Sequence, residues 1–430
     1  MDAALALAEH GALDWLALEC LAERTIALAQ LRRRRAPDSG FDPKLQRRIA
    51  ALLPIVSRTG TRIVTNMGAA NPMAAGRAVI DIARQLGIDV RVAVVTGDDV
   101  LAALPLDAFA MEAHRPLSSY GPLVSANAYL GAEAILPAIE SGANVIITGR
   151  VADPSLFVAP IVHWYGWALD DWNRVAAATT VGHLLECAGQ LCGGYFADPG
   201  RKDVPDMANL GFPYAEVDSD GAATLAKVEG TGGCITLATA KEQLLYEVTD
   251  PCAYLTPDVS ADFSTITLKQ VGKDRVRVEG ARAHRRPEQL KVSVGYMAGF
   301  VGEGEIGYAG PNANARAELA AKTVQARLEG RFEELRIDLI GSSSLHGRAF
   351  DSTASAYEVR LRVAGRARTA EDAAIIGDEV EALYTNGPAG GGGARRYVHE
   401  QVGIVSTMID RESVRPCVTL MEREAHGEVV

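Results

Sequence analysis

Short apolar runs that alternate with amphipathic helices constrain this chain most. Runs of this kind at 62–65, 90–95 and 144–148 predict strands, and the stretches at 22–34, 72–82 and 123–139 predict helices. Continuous apolar strands separated by helices indicate a parallel sheet that is covered on both faces. The sequence therefore predicts an α/β fold with a doubly wound, mostly parallel sheet over residues 1–250.

The pattern changes from residue 251 onwards. The predicted order is strand, helix, strand, strand, helix, strand, at 291–308, 314–328, 335–340, 357–363, 370–384 and 402–408. This is the βαββαβ order of a ferredoxin-like unit. Because 430 residues exceed one ordinary core, we expect a second, α+β domain over residues 251–430.

Composition and charge exclude several classes of protein. A formal net charge of −11 argues against a nucleic-acid partner. No run of 18 apolar residues is present, so no membrane span or membrane partner is expected. The six cysteines include no CxxC pair, which is typical of free thiols in a reducing compartment. Since the first ten residues carry Asp2 and Glu9 and no basic region, we expect no signal peptide and a cytoplasmic location.

The loop Asn66–Asn71 lies between a predicted strand and the helix that begins at Pro72. Ligands of parallel sheets bind beyond the carboxyl ends of strands, so Asn66, Gly68 and Asn71 are candidate substrate-binding residues. The alternative is an ordinary turn in which Asn71 caps the helix.

Gly149, Arg150 and Asp153 follow the next predicted strand in the same way. A guanidinium group at a strand end is suited to bind a carboxylate or a phosphate with two hydrogen bonds. An internal salt bridge is the alternative for Arg150, and capping of the helix that begins at Pro154 is the alternative for Asp153.

His183 and Glu186 share one face of a predicted helix. This spacing suits a general base and the carboxylate that orients it, so both are candidate catalytic residues. A plain buried hydrogen bond is the alternative. A catalytic metal would need a third ligand, which the spacing does not offer, so no metal is predicted. Tyr195 and Asp198, after a glycine pair, would line the same cleft.

Two glycine-rich segments are candidate loops of the site. Gly230, Thr231, Gly232 and Gly233 present backbone amides that could bind an anion, and Lys241 follows nearby. A domain hinge is the alternative. The run at 386–393 is similar and predicts an interface or a ligand-covering loop.

Several long segments together resemble the acyclic terpene utilisation family, AtuA. They are SANAYLGAEAI from Ser125, ITGRVADPSL from Ile147, GHLLECAGQLCGGYFADPG from Gly182, EGTGGCITLATAKEQLLYEVTDP from Glu229 and YTNGPAGGGG from Tyr384. The resemblance implies a bacterial protein that takes part in the breakdown of branched acids such as citronellate and geranate, whose intermediates are coenzyme A thioesters. It also implies a further strand and a glycine-rich loop containing an Asp ahead of the segment matching residues 2–7.

The first functional hypothesis is a hydratase or lyase that acts on a carboxylate or an acyl-CoA without a redox cofactor. His183 would be the base, Glu186 would orient it and Arg150 would bind the carboxylate or phosphate. Asn66 and Asn127 would donate hydrogen bonds to a developing enolate oxygen. Coenzyme A would enter only as part of the substrate.

Two other hypotheses belong to different classes. The chain could be a non-catalytic subunit or binding module of a carboxylase or hydratase assembly, with the C-terminal domain as its interface. It could also be a metal-dependent hydrolase, which would contain zinc or manganese. We expect a homo-oligomer, and the binding-module hypothesis adds a small partner subunit.

Overall fold

A computed structural model describes residues 1–347 and 356–422 of the chain. It divides into two compact units. Of the described residues, unit 1 contains 1–119, 124–295 and those from 404 onwards, and unit 2 contains 120–123 and those between 296 and 403. Within the described ranges no helix is long and apolar enough to cross a membrane.

Helices and strands alternate through most of unit 1. The helices, in chain order and including those of unit 2, are α1 (Asp2–His10), α2 (Glu23–Arg35), α3 (Leu45–Thr59), α4 (Pro72–Leu86), α5 (Ala132–Glu140), α6 (Ser155–Tyr165), α7 (Trp172–Glu186), α8 (Leu237–Leu244), α9 (Ala313–Arg327), α10 (Ala370–Glu381) and α11 (Leu383–Asn386). The strands are β1 (Trp15–Leu18), β2 (Arg62–Thr65), β3 (Arg91–Thr96), β4 (Leu123–Ala128), β5 (Val145–Thr148), β6 (Pro213–Val217), β7 (Ala223–Lys227), β8 (Tyr254–Leu255), β9 (Ser260–Asp262), β10 (Thr267–Gly272), β11 (Arg275–Glu279), β12 (Arg282–His284), β13 (Gln289–Ala309), β14 (Leu335–Ile340), β15 (Glu358–Ala367), β16 (Gly392–Asp410) and β17 (Cys417–Glu422).

The main sheet of unit 1 has the order β1-β2-β5-β3-β17. Its first four strands are parallel, and β17 runs antiparallel to β3. The predicted strands at 62–65, 90–95 and 144–148 are three of these four parallel strands. Their carboxyl ends therefore meet at one edge of the sheet, where the loops after β1, β2 and β5 begin.

Apolar side chains of the central strands and of the flanking helices form the core of unit 1. Ile63, Val94 and Ile147 are fully buried. Helix α4 packs a buried stripe, which includes Val79 and Ile82, against this sheet. The stripe repeats every three to four residues, which is why the sequence predicts a helix there.

The stretch at 123–139 is not one helix, so this prediction is wrong. Residues Leu123–Ala128 form β4, which pairs with β13, and α5 begins only at Ala132. The Asp258 carboxylate accepts a hydrogen bond from the Ala132 amide at 2.7 Å. A distant side chain therefore determines where this helix begins, and the local sequence does not contain that information.

Antiparallel sheets make up the rest of the described structure. Two of them, in the orders β10-β11-β7-β6 and β12-β9-β8, belong to unit 1. A third has the order β14-β15-β13-β16. Helices α9 and α10 contact β15 of this sheet. A Cβ atom at Gly302 would lie 1.8 Å from the Ala373 carbonyl oxygen, so glycine on β13 allows α10 to pack this closely.

Truncation of a core side chain should destabilise unit 1. Ile147→Ala removes buried methyl groups in the middle of the main sheet, and we expect a loss of about 2–5 kcal/mol in the free energy of unfolding. Ile340→Ala is the matched control, because Ile340 is 38% exposed and should cost less than about 1 kcal/mol. Urea unfolding of both variants measures the difference. Equal losses would contradict this assignment of the core.

Candidate functional site

Asn66 joins the carboxyl ends of β1 and β2. Its Oδ1 accepts a hydrogen bond from the Cys20 amide at 2.8 Å, and its Nδ2 donates to Glu19 Oε1 at 3.0 Å. The side chain is fully buried. Asn66 thus positions Glu19 at the edge of the sheet.

Gly68 and Asn71 hold the loop that follows β2. A Cβ atom at Gly68 would lie 2.4 Å from the Thr148 carbonyl oxygen, so only glycine fits there. Asn71 caps α4 through the Ala74 amide at 3.2 Å and donates to the Pro37 and Ser39 carbonyl oxygens at 2.8 Å each. Both residues therefore have a structural role, in the turn and in the helix cap, which the sequence predicted as the alternative to substrate binding.

Arg150 is completely buried at the end of β5, with 1% of the residue exposed. Its Nε donates to the Val151 carbonyl oxygen at 2.7 Å, and a terminal nitrogen donates to the Leu21 carbonyl oxygen at 2.6 Å. The other terminal nitrogen contacts Asp153 and the Val151 carbonyl oxygen. The Arg150 guanidinium lies 4.6 Å from the centre of the Tyr129 ring. The internal salt bridge is therefore present, and most of the N–H groups of Arg150 are already used.

Arg150 is surrounded by more carboxyl groups than it can neutralise. Glu19, Asp153 and Glu186 interact electrostatically with it and with one another. Burial, together with the charges of Glu19 and Glu186, raises the pKa of Asp153 against the opposing effect of Arg150. Burial of Glu186 and the negative charges around it favour the neutral form of that carboxyl group and raise its pKa, although Arg150 opposes the shift.

Tyr129 and Lys291 extend the cluster on the other side of Arg150. Tyr129 donates a hydrogen bond to Glu23 Oε1 at 2.5 Å, and Lys291 Nζ lies 3.3 Å from the same oxygen. Burial favours the neutral form of Glu23, but these bonds and the Lys291 charge outweigh it and lower the pKa of Glu23 to about 2. Glu23 is therefore ionised at neutral pH.

A second buried network lies behind Arg150. Asp98 Oδ2 accepts hydrogen bonds from the Arg150 amide and from Asn127 Nδ2, both at 2.9 Å. Complete burial raises the pKa of Asp98 to about 6, although these two bonds oppose the shift. A Cβ atom at Gly149 would lie 2.4 Å from Asp98 Oδ1, which explains the glycine. Asn127 thus holds Asp98, and its own Oδ1 is buried without a hydrogen-bond partner among the described residues.

His183 and Glu186 form a hydrogen bond at the end of α7. His183 Nδ1 lies 3.0 Å from Glu186 Oε1, and His183 Nε2 lies 3.2 Å from the Leu244 carbonyl oxygen. Burial lowers the pKa of His183 to about 4. Burial and the charges of Glu19 and Glu247 raise the pKa of Glu186 well above its usual range.

These contacts determine where the protons lie. A carbonyl oxygen only accepts, so His183 Nε2 must carry the proton that it shares with Leu244. In the neutral ring Nδ1 is then an acceptor, and Glu186 donates to it as a carboxylic acid. The two pKa shifts favour this same neutral pair. The rings of Tyr254 and Phe263 lie 5.0 and 5.3 Å from the His183 ring and exclude water from it.

A cavity of about 670 Å³ lies beside Glu186 along the open edge of β1. Its wall combines apolar side chains, which include Leu156, Ile161 and Trp164, with polar groups, which include Glu19 and Glu186. Glu186 Oε2 is buried and has no hydrogen-bond partner among the described residues. The cavity has the volume of a pocket for a small molecule.

The remaining candidate residues are in other surroundings. Tyr195 is 85% exposed and has its ring 6.2 Å from Tyr246, and the Asp198 amide donates to the Lys202 carbonyl oxygen at 3.0 Å. Lys241 is exposed on α8. No contact between these three residues and His183 or Arg150 is present in the part of the chain that the structure describes.

The glycine-rich loop after β7 uses most of its amides within the fold. The Thr231, Gly232 and Gly233 amides donate to the carbonyl oxygens of Val228, Asn209 and Pro205 at 3.3, 2.7 and 2.7 Å. Gly230 and Gly233 have φ angles of 81°, a conformation that favours glycine. An anion in this loop would have to displace these hydrogen bonds.

Sequence reasoning missed Glu19, Glu23, Asp98, Tyr129 and Lys291. Glu19 directly follows the strand Trp15–Leu18, so the strand-end rule that selected Asn66 would also have selected it. Asp98 lies just past β3, at a strand end of the same kind. Lys291 reaches Tyr129 from far along the chain, and no local pattern indicates that approach.

The described residues contain no preformed set of metal ligands. Within 1–347 and 356–422, no set of three or more His, Cys, Asp or Glu side chains is arranged to hold a metal ion.

The fold and this cluster together define an α/β protein in which several carboxyl side chains surround a buried arginine at the end of β5. The chain belongs to the acyclic terpene utilisation family, AtuA, whose family model matches residues 1–420. No curated protein and no solved structure matches the chain.

Stability should depend on pH through His183. The unfolded chain binds a proton on this ring below pH about 6.5, whereas the folded chain does so only near pH 4. His183 therefore contributes a loss of stability of at most about 3 kcal/mol as the pH falls through this window, while Glu186 and Asp98, whose pKa values are raised by burial, contribute in the opposite direction. Urea unfolding at several pH values between 6.5 and 4 isolates the His183 contribution as the difference between the natural protein and His183→Asn, which should lose less stability on acidification. Parallel slopes for the two proteins would refute the assignment of a neutral His183.

Proposed function

We propose that this protein is a hydratase or lyase that acts on a carboxylate or an acyl-CoA in the use of acyclic terpenes, without a redox cofactor. Membership of the family supplies the pathway. The observation that carries the reaction is the position of Glu186, which lines a cavity and forms a hydrogen bond with the anchored His183. Coenzyme A would be part of the substrate.

In this proposal Glu186 takes part in the proton transfer and His183 orients it, which reverses the roles that the sequence predicted. Both nitrogens of His183 are engaged, one by Leu244 and one by Glu186, so the ring has no free atom for a substrate. Glu186 lines the cavity, and its buried Oε2 has no hydrogen-bond partner among the described residues. Glu186 is therefore the general acid in this proposal, and His183 is a positioning residue that holds Glu186 Oε1.

In this proposal Arg150 affects the ionisation of the neighbouring carboxyl groups and does not bind the substrate. Four of its five N–H groups already point at carbonyl oxygens and Asp153, so little of it is left to bind a substrate carboxylate. Its charge keeps one neighbouring carboxyl ionised while the excess proton stays on Glu186. Asn66 likewise orients Glu19 instead of donating to an enolate.

The proposed step moves one proton. Addition of water to a double bond next to a thioester or carboxylate places the hydroxyl group on the β carbon and a proton on the α carbon. The Glu186 hydroxyl turns from His183 Nδ1 to the α carbon and gives up its proton there, and the water that adds its hydroxyl group to the β carbon returns its remaining proton to Glu186. Elimination runs through the same groups in reverse. A carboxyl group with a raised pKa is still protonated near neutral pH, which is what a general acid requires.

Finer features of the fold belong to the same proposal. We infer a doubly wound unit 1 from parallel strands that alternate with helices. We infer a ferredoxin-like unit 2 from the succession β13, α9, β14, β15, α10 and β16 and from the sheet order β14-β15-β13-β16.

Glu186→Gln tests the proposal. The amide can still donate to His183 Nδ1, so the fold should be retained, but it has no transferable proton. We expect kcat to fall about 10²- to 10⁴-fold with KM little changed. The measurement is turnover of branched unsaturated acyl-CoAs and acids, with exchange of solvent deuterium into the α position.

Glu242→Gln is the matched control. Glu242 is a half-exposed Glu on α8 whose partner is Lys202 at 2.6 Å, away from the cluster. Its replacement should leave turnover unchanged. Full turnover by folded Glu186→Gln would overturn the proposal and favour the non-catalytic binding module.

A further inference from the structure

Strand β16 forms one edge of the sheet β14-β15-β13-β16. It is 19 residues long, and residues 395–400 are exposed one after another. Tyr397 and Val398 are 42% and 40% exposed. A long exposed edge is a template for pairing with another strand, and natural proteins normally protect such edges.

Two contacts indicate which residues of β16 direct their backbone N–H and C=O groups away from β13. The Ala394 amide donates to the Tyr384 hydroxyl at 2.9 Å, and Ser406 accepts a hydrogen bond from the Met111 amide at 2.8 Å. Neither partner belongs to β13, so Ala394 and Ser406 direct their backbone groups away from it. Direction repeats every second residue in a strand.

Three residues between these contacts therefore share that direction. Arg396, Val398 and Glu400 follow Ala394 at successive steps of two positions, and β16 has no positive-φ residue beyond Gly393 that would interrupt the alternation. Their N–H and C=O groups point out of the sheet. Side chains of these residues lie on one face, and those of Tyr397 and His399 lie on the other.

We propose that β16 pairs antiparallel with β16 of a second copy of this chain, about a two-fold axis at Val398. In this register Val398 lies opposite Val398 of the second copy, in a hydrogen-bonded pair. Arg396 lies opposite Glu400 of the second copy, and Glu400 opposite its Arg396. Pairing of the two strands thus forms two ion pairs on either side of the two Val398 side chains.

The other face of the paired strands carries aromatic rings. Tyr397 and His399 of one copy already lie with ring centroids 5.8 Å apart and planes 15° apart. In the register centred on Val398, Tyr397 faces His399 of the second copy. Four rings then form one continuous row across the axis, and cross-strand pairs of this kind stabilise sheets.

Charge selects this register over its neighbours. An axis at Arg396 or at Glu400 would place like charges directly opposite each other, which destabilises a sheet. An axis at Tyr397 or at His399 would leave Arg396 and Glu400 opposite uncharged residues. Arg396 also contacts Asp378 and Glu381 on α10. Because its guanidinium group has five N–H donors, Glu400 of the second copy joins this network.

A second copy is the occupant because the edge complements itself. The sequence Arg396-Tyr397-Val398-His399-Glu400 matches its own antiparallel reverse in charge and in aromatic content. An unrelated apolar strand would place an uncharged residue opposite Arg396 and opposite Glu400.

The first test measures the oligomeric state of the full chain by light scattering on a sizing column. We expect a dimer for the natural sequence and a monomer for Val398→Pro. The Val398 amide points out of the sheet, so proline there removes an intermolecular hydrogen bond but none within the chain. Circular dichroism checks that Val398→Pro is folded. A monomeric natural protein at 100 µM, or a dimer that folded Val398→Pro retains, would overturn the proposal.

The second test reads the register. Val398→Cys places two thiols in a hydrogen-bonded pair with Cα atoms about 5.5 Å apart, within the range of a disulfide. Mild oxidation with oxidised glutathione should give a covalent dimer that the natural protein does not give. Val402→Cys is the matched control, since its two copies would lie eight residue positions apart. Equal cross-linking of both variants, or of neither, would contradict the register.

The third test concerns charge. Glu400→Arg places like charges opposite each other and should leave only monomer at the concentration where the natural protein is dimeric. Arg396→Glu combined with Glu400→Arg restores opposite charges and should restore the dimer. If the double variant remains monomeric while folded, the proposed ion pairs are wrong.

Discussion

The buried guanidinium group of Arg150 is the constraint on which the rest of the site depends. A permanent charge without water must be surrounded by acceptors, and loss of one partner typically costs about 3–5 kcal/mol. The chain meets this demand with the carbonyl oxygens of Leu21 and Val151 and with Asp153. These acceptors come from the segments after β1 and β5, so satisfying one side chain also fixes the relative positions of two strand ends. The Arg150 amide adds Asp98 to the same arrangement.

An excess of acid around this charge has a consequence for the hydrogen bonds nearby. Burial, together with the charges of Glu19 and Glu247, raises the pKa of Glu186 and favours its neutral form. A neutral Glu186 donates to His183, which in turn donates to Leu244. The same chain of contacts explains why a histidine at the end of α7 is held so firmly between Tyr254 and Phe263.

The sequence predicted the parts of this structure that depend on local pattern. Apolar runs located β2, β3 and β5, and the spacing of His183 and Glu186 predicted their hydrogen bond. The protonation of that pair was not predictable, because it depends on Glu19 and Arg150 from other segments. The loop at 230–233 shows the same limit. Its glycines suggested free amides, but Asn209 and Pro205 supply acceptors for them, and no pattern within the loop indicates these partners.

Strand β17 closes the main sheet from the far end of the chain. It pairs with β3, and Cys417 lies opposite Thr96, so more than three hundred residues separate the two partners. During synthesis the ribosome releases all of unit 2 before it releases Cys417–Glu422. Until then β3 keeps an unpaired edge that is apolar and prone to association. Release of the last described strand is therefore the event that completes the first unit, and a chain stalled shortly before it would expose a ready template for misassembly.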